Sequence, residues 1–382
     1  MRLKIDCSYD GTDFHGWARQ PDLRTVQGEL EAAIAKVLHL WQPAGQTADY
    51  PSAFAKALAN QSAPVSFWPH LVVAGRTDTG VHARGQVCHL DLDQDLLGRA
   101  QGHLDPARFK PWDALTYRLR RILPDDLSVS AISPAPEGFD ARFSASDRVY
   151  VYRVADDQTS YDPRLRSFVL NLRRSTDIQI MNTALAEIVG LHDFGSFATP
   201  NPGGTTIREV KYAHWRRVGA DSLSLSNYSP NSGNLMVETD RNAADCSPSS
   251  SGDSSRASSD HKSQIPTAHP GQSQSKTQAV GWRPGQDSAY QIDILESGLL
   301  EFTIIADAFA HNMVRSLVNA SLQVGMGKKS LEWFLDKIHN PQREGASGPA
   351  PACGLTLEKV NYPPDNLLAA RSQAIRAKRT LD

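Results

Sequence analysis

The chain has 382 residues, a formal net charge of −2 and 40% hydrophobic residues, an ordinary globular composition with room for two cores. No apolar run approaches the roughly 18 residues of a membrane-spanning helix, and the four cysteines (Cys7, Cys88, Cys246, Cys353) lack metal-ligand spacing, so an integral helical membrane protein and a thiolate zinc protein are both excluded. Outside residues 221–290, which hold seven acidic and five basic side chains, the chain carries 35 of each sign, so any polyanion must meet a local basic surface.

In chain order, Met1–Asp6 reads as an immediate strand rather than an apolar secretory leader, and a cytoplasmic location is expected. The alternation Leu3-Lys4-Ile5-Asp6-Cys7 leads to a turn at Asp10-Gly11. Thr25 is the expected cap of a helix whose Val26, Leu30, Ala33, Ile34, Val37 and Leu38 line one face. Residues 41–69 carry four prolines without a clear period and read as an inserted excursion, with a short helix around Ala53–Leu58. The apolar run Leu71-Val72-Val73 enters a polar loop, and Gln86-Val87-Cys88-His89-Leu90 leaves it as a strand. A helical pattern over Trp112–Ile122 is halted by Pro124.

The second half opens on a β-branched and aromatic strand, Val149–Val154. A helix over Thr176–Val189 turns Ile180, Ala184, Leu185 and Ile188 inward. Strands are expected at Val210–Trp215 and Leu299–Ile305. Between them, residues 221–288 hold too few large apolar side chains to offset their ordering entropy and read as a disordered insertion. A helix after His311 buries Met313, Val314, Leu317, Val318 and Leu322, and a shorter one, Ser330–Ile338, starts on a Ser cap. Strands and helices come in mixed order without regular βαβ alternation, which points to an α+β fold.

The chemistry concentrates in Ala74-Gly75-Arg76-Thr77-Asp78-Thr79-Gly80-Val81-His82-Ala83. This polar turn between apolar strands holds one carboxylate, Asp78, flanked by Arg76 and His82. An adjacent guanidinium favours the ionised carboxylate, which suits a nucleophile or a base rather than a general acid. Asp78-Thr79-Gly80 spells the aspartic-protease triplet, yet no second such triplet exists to share a proton with it. Asp193-Phe194-Gly195 echoes the kinase magnesium motif without the accompanying glycine-rich loop, strand lysine or His-Arg-Asp sequence. A metal hydrolase built on Asp78, His82 and His89 fails on spacing.

Five separated blocks resemble the bacterial tRNA pseudouridine synthase A family. They are Tyr9-Asp10-Gly11-Thr12-Asp13-Phe14-His15-Gly16-Trp17; Gly75–His82; Phe139-Asp140-Ala141-Arg142-Phe143-Ser144-Ala145; His192-Asp193-Phe194-Gly195-Ser196-Phe197; and Ala308-Phe309-Ala310-His311-Asn312-Met313-Val314-Arg315. The resemblance implies isomerisation of uridines 38, 39 and 40 of the tRNA anticodon stem-loop, without metal or cofactor. Asp78 is then the essential carboxylate and Arg315 its bidentate partner. Tyr150 stacks on a flipped-out base, with Tyr152 on the same side of the strand. Arg76 helps expose the nucleotide, and His82 either contacts the RNA backbone or is satisfied within its own turn.

The implied architecture is two similar α+β domains, 1–138 and 139–370, followed by a basic tail, 371–382. Each domain would be a mostly antiparallel sheet with helices on one face, the sheets lying side by side with a central RNA-binding cleft, in a homodimer. Candidate basic surfaces are Arg19 and Arg24, Arg118-Leu119-Arg120-Arg121, and Arg371, Arg376, Lys378 and Arg379. Thr79, Arg120 and Ala18 depart from residues common in the family without touching the expected site. The competing class is a non-catalytic RNA-binding or chaperone protein on the same fold, against which the joint presence of Asp78, Tyr150 and Arg315 speaks.

Overall fold

The computed structural model describes residues 1–40, 68–159, 161–199, 204–219, 298–342 and 348–375. The short helix expected within 41–67, the insertion at 221–288 and the end of the basic tail lie outside them. The elements in chain order are β1 (Arg2–Tyr9), α1 (Val26–Val37), β2 (Val72–Val73), β3 (His82–Asp91), α2 (Gln94–Gly98), α3 (Pro111–Ile122), β4 (Leu127–Pro134) and β5 (Asp147–Ala155). There follow β6 (Leu170–Asn171), α4 (Ile178–Ala186), β7 (Gly190–Asp193), β8 (Ile207–Arg217), β9 (Leu300–Ala306), α5 (Met313–Gly325), α6 (Leu331–His339), β10 (Leu355–Asn361) and α7 (Leu368–Ala374). The class is mixed α+β.

Local chemistry accounts for the helix limits. Thr25 accepts a hydrogen bond from the Gly28 N–H (3.3 Å) at the start of α1. Ser330 does the same for Trp333 (3.2 Å) in α6. Asp177 accepts from the N–H groups of Gln179 and Ile180, so α4 begins two residues later than the apolar period suggests and buries Met181 rather than Ile180.

Among the described residues ten strands form one sheet with the central order β4-β1-β3-β10-β5-β9-β8-β7, while β2 pairs with β3 and β6 with β5. Neighbours are antiparallel except β3 with β10 and β5 with β6. At the β3–β10 step Thr356 lies opposite His82 and Leu357 opposite Ala83. One hydrophobic core continues across that step, from Leu3, Ile5 and Ile34 to Tyr152, Trp215, Phe302 and Leu317. Polar ties fix the helices over it: the Trp215 Nε1–H donates to Ser321 Oγ (3.0 Å), and Asn182 brackets the Trp215 backbone from α4.

Alternating charges also run across five neighbouring strands. In order they are Arg84 on β3, Glu358 on β10, Arg153 on β5, Glu301 on β9 and Arg216 on β8. Successive contacts measure 2.6, 2.9, 3.4 and 2.6 Å. The three middle members are each less than 10% exposed.

Candidate active site

The Gly75–Gly80 loop links β2 to β3, and its backbone is held at several points. Ala74 O accepts from Arg148 Nη2 (2.7 Å) and Gly75 O from Gln86 Nε2 (2.9 Å). Thr77 shares a 2.7 Å hydrogen bond with the Tyr9 hydroxyl, and Thr77 O accepts from the Trp17 N–H (3.0 Å). The Gly80 N–H donates to Phe14 O (3.2 Å). Two glycines let the Tyr9–Trp17 segment lie directly under the loop. A Cβ on Gly16, whose φ is +85°, would stand 2.8 Å from Thr77 O, and one on Gly11 would stand 2.1 Å from Val81 O. The Tyr9–Trp17 block is therefore a floor for the Gly75–His82 block.

Asp78 is half-buried at the top of this loop, with its side chain 32% exposed. Two side chains approach it, one from the β9–α5 connection and one from the first turn of α5: His311 Nε2 lies 3.5 Å from Oδ1, and Arg315 Nη1 lies 3.9 Å from Oδ2. The expected bidentate contact is corrected here. Arg315 Nε donates to Ala350 O (2.6 Å) and Nη1 to Asn312 Oδ1 (3.4 Å), which leaves a single long ion pair for Asp78. Asn312 adopts a left-handed backbone (φ 64°) that turns the chain between His311 and α5. Thr199 anchors this turn, its N–H donating to His311 O (2.9 Å) and its Oγ1 accepting from Asn312 Nδ2 (2.9 Å).

Tyr150 sits on β5, 7% exposed, its ring edge-on to Phe309 with centroids 5.1 Å apart. Burial raises its phenol well above the ordinary value, and the Asp78 charge raises it further. Tyr152 shares the strand face but is fully buried; its hydroxyl donates to Pro351 O (2.7 Å), and a Cβ on Gly354 would strike its ring at 2.5 Å. Of the two tyrosines, only Tyr150 feels Asp78.

Arg76 is exposed and has no hydrogen-bond or ion-pair partner among the described residues. His82 is elsewhere in character: 1% exposed, its Nδ1 accepts from the Gly11 N–H (2.9 Å) beside Asp10, and its ring stacks at 4.5 Å on Phe168. Burial lowers its affinity for a proton, against the opposite pull of Asp10. A ring so enclosed fastens the floor to the sheet instead of reaching a phosphate. His89 is similarly buried, accepting from the Ala141 N–H (3.0 Å), and no group of three metal-ligating side chains occurs among the described residues.

Sequence reasoning missed two residues. His311 lies inside a quoted block, but its proximity to Asp78 depends on a contact between positions far apart in the chain. Arg148, 6% exposed, donates to the backbone oxygens of Asp307, Ala74 and Arg142, tying together the three segments that converge on the site. Burial lowers its pKa, offset in part by nearby Tyr362, Tyr150 and Asp307.

Some of the basic surface is already engaged. Arg24 binds Asp126 in bidentate fashion (2.7 and 2.8 Å), and Arg120 donates to the carbonyls of Val129 and Ser130. A 620 Å³ depression lined by Arg2, Asp91, Pro136 and Phe139 does not include Asp78. No helix among the described residues is long and apolar enough to cross a membrane.

Comparison with known proteins adds an independent line. A family model described as tRNA pseudouridine synthase matches residues 184–363. A Bifidobacterium longum protein named tRNA pseudouridine synthase A is 46% identical over 380 residues, covering 100% of this chain and 99% of the relative. Proteins of the same name from Cutibacterium acnes (33% over 379 residues, 99% and 95% covered) and Streptomyces avermitilis (34% over 382 residues, 100% and 95% covered) are also similar to it.

Proposed function

We infer the function from a premise that the full-length relatives supply: this chain belongs to the tRNA pseudouridine synthase A family. It isomerises uridine in tRNA to pseudouridine, acting at positions 38, 39 and 40 of the anticodon stem-loop. The observation that carries the reading is a half-buried carboxylate, Asp78, with the His311 imidazole 3.5 Å and the Arg315 guanidinium 3.9 Å from its two oxygens and a buried tyrosine beside it.

Breaking a glycosidic bond develops positive charge at the sugar C1′, and a carboxylate fixed there in a partly dry setting stabilises it. Asp78 acts at C1′, and Arg315 keeps it ionised and oriented. Tyr150 offers an aromatic surface to a base taken out of its stack, replacing stacking of roughly 1–3 kcal/mol. The exposed Arg76 guanidinium is free to meet a phosphate or the vacated stack. The division at residue 138, the cleft between the two halves, the homodimer and the cytoplasmic setting belong to the same reading, as does the independence from metal and cofactor.

The test is Asp78→Asn on tRNA carrying 5-tritiated uridine. Tritium release should be abolished while tRNA affinity stays within a few-fold. Release at the wild-type rate would remove Asp78 from the mechanism.

A further inference from the structure

Isomerisation leaves a proton to be moved. The C1′–N1 bond breaks with its electron pair on uracil N1, the ring turns, and the C5=C6 π pair forms the C5–C1′ bond. C5 then carries a hydrogen that must depart as a proton, its σ pair restoring C5=C6, and N1 finishes with a proton. One proton thus passes from C5 to N1, and nothing is consumed. At the instant it leaves, C5 is bonded to C1′, so the acceptor must stand where Asp78 acts.

Few groups stand there. The Arg315 guanidinium has no lone pair to offer. The Tyr150 phenol is held protonated by burial and by the Asp78 charge, so it is no acceptor near neutral pH. A carboxylate is a weaker base than an imidazole by roughly two to three pKa units in water. His311 differs from all of these. Its Nε2 lies 3.5 Å from Asp78 Oδ1, and its side chain is 52% exposed at the mouth of the site. Its backbone is pinned by Thr199, and the left-handed turn at Asn312 follows it, while among the described residues its ring has no partner but Asp78. Imidazole both takes and gives a proton near neutral pH.

We propose that His311 is a further catalytic residue, accepting the hydrogen from uracil C5 once C5 is joined to C1′ and returning a proton to N1. The proposal rests on Asp78 acting at C1′.

His311→Gln tests it, because glutamine keeps a hydrogen-bonding group of similar reach but cannot relay a proton. The exposed position makes the fold insensitive to the change. Single-turnover reactions would compare tRNA containing uridine with tRNA containing 5-fluorouridine, which has no C5 hydrogen to lose. His311→Gln should form pseudouridine about 10²-fold or more slowly yet consume 5-fluorouridine at the wild-type rate. Equal slowing on both substrates would reduce His311 to a positioning group, and unchanged rates on both would dismiss it. Asp78→Asn run alongside separates the two readings. Loss of 5-fluorouridine consumption in that variant leaves Asp78 standing whatever His311 does, and retention overturns the Asp78 assignment and this proposal with it.

Discussion

Gly16 and Gly98 show how differently one residue type is constrained. Gly16 has φ +85° and would drive a Cβ to 2.8 Å from Thr77 O, whereas a Cβ on Gly98 meets nothing within 4 Å. Gly16→Ala should lower stability by roughly 1–3 kcal/mol and displace the Asp78 loop, seen together as a reduced melting temperature and a reduced turnover. Gly98→Ala should raise stability by roughly 0.5 kcal/mol, through a less flexible unfolded chain. A Gly16→Ala protein with wild-type melting and activity would show that the floor yields freely. Asp78 was legible from sequence because a polar loop between two apolar runs frames it. His82 reads from sequence equally as an RNA contact and as a loop histidine satisfied by its own turn, and its buried ring, accepting from the Gly11 N–H, fits the second. The partners of Asp78 could be ranked only by family resemblance, since residues 311 and 315 meet residue 78 through tertiary folding.

Helices and strands were readable wherever period and capping agree. Thr25 and Ser330 cap α1 and α6 as their side chains imply, and Met313, Val314, Leu317, Val318 and Leu322 are all buried on α5. Pairing between elements was not readable, because the alternation of β10 fits a seat beside many strands. The alternating charge row depends on that seat. Glu358 is 8% exposed between Arg84 and Arg153, and Arg153 is 9% exposed. Glu358→Ala removes one of the two carboxylates on the buried Arg153 guanidinium, leaving Glu301, and should cost roughly 1.5–3 kcal/mol. Arg84, 57% exposed, contributes through a solvated pair, and Arg84→Ala should cost under about 1 kcal/mol. Chemical denaturation of the two variants checks the contrast, and equal losses would mean that burial does not govern the row.

For the molecule as a whole, acid stability follows from which protons the folded chain refuses. Burial is the chief cause lowering the imidazoles of His82 and His89. The unfolded chain takes up these protons first, so stability is full above the ordinary imidazole value of about 6.5 and declines as pH falls below it. Burial alone would raise the Asp156 carboxyl, but hydrogen bonds from Arg217 and Thr159 outweigh it and the net direction is downward. Its contribution persists above the ordinary carboxyl value and is lost in a second decline below about pH 4. A melting temperature that stays level from about pH 8 to about pH 5 would contradict the histidine assignment. Affinity for tRNA should weaken steeply with added salt as phosphate contacts release counterions, and a flat response in a filter-binding series would argue against a charged docking surface.

The seat of β10 bears on how such a chain is made. The strand that comes last in chain order fills the middle of the sheet, flanked by β3 and β5. A ribosome delivering this polypeptide must therefore complete both wings before their keystone arrives, leaving two raw borders open to chance partners meanwhile. Chains cut short before Leu355 should collect as insoluble material rather than as halves that can later be mended.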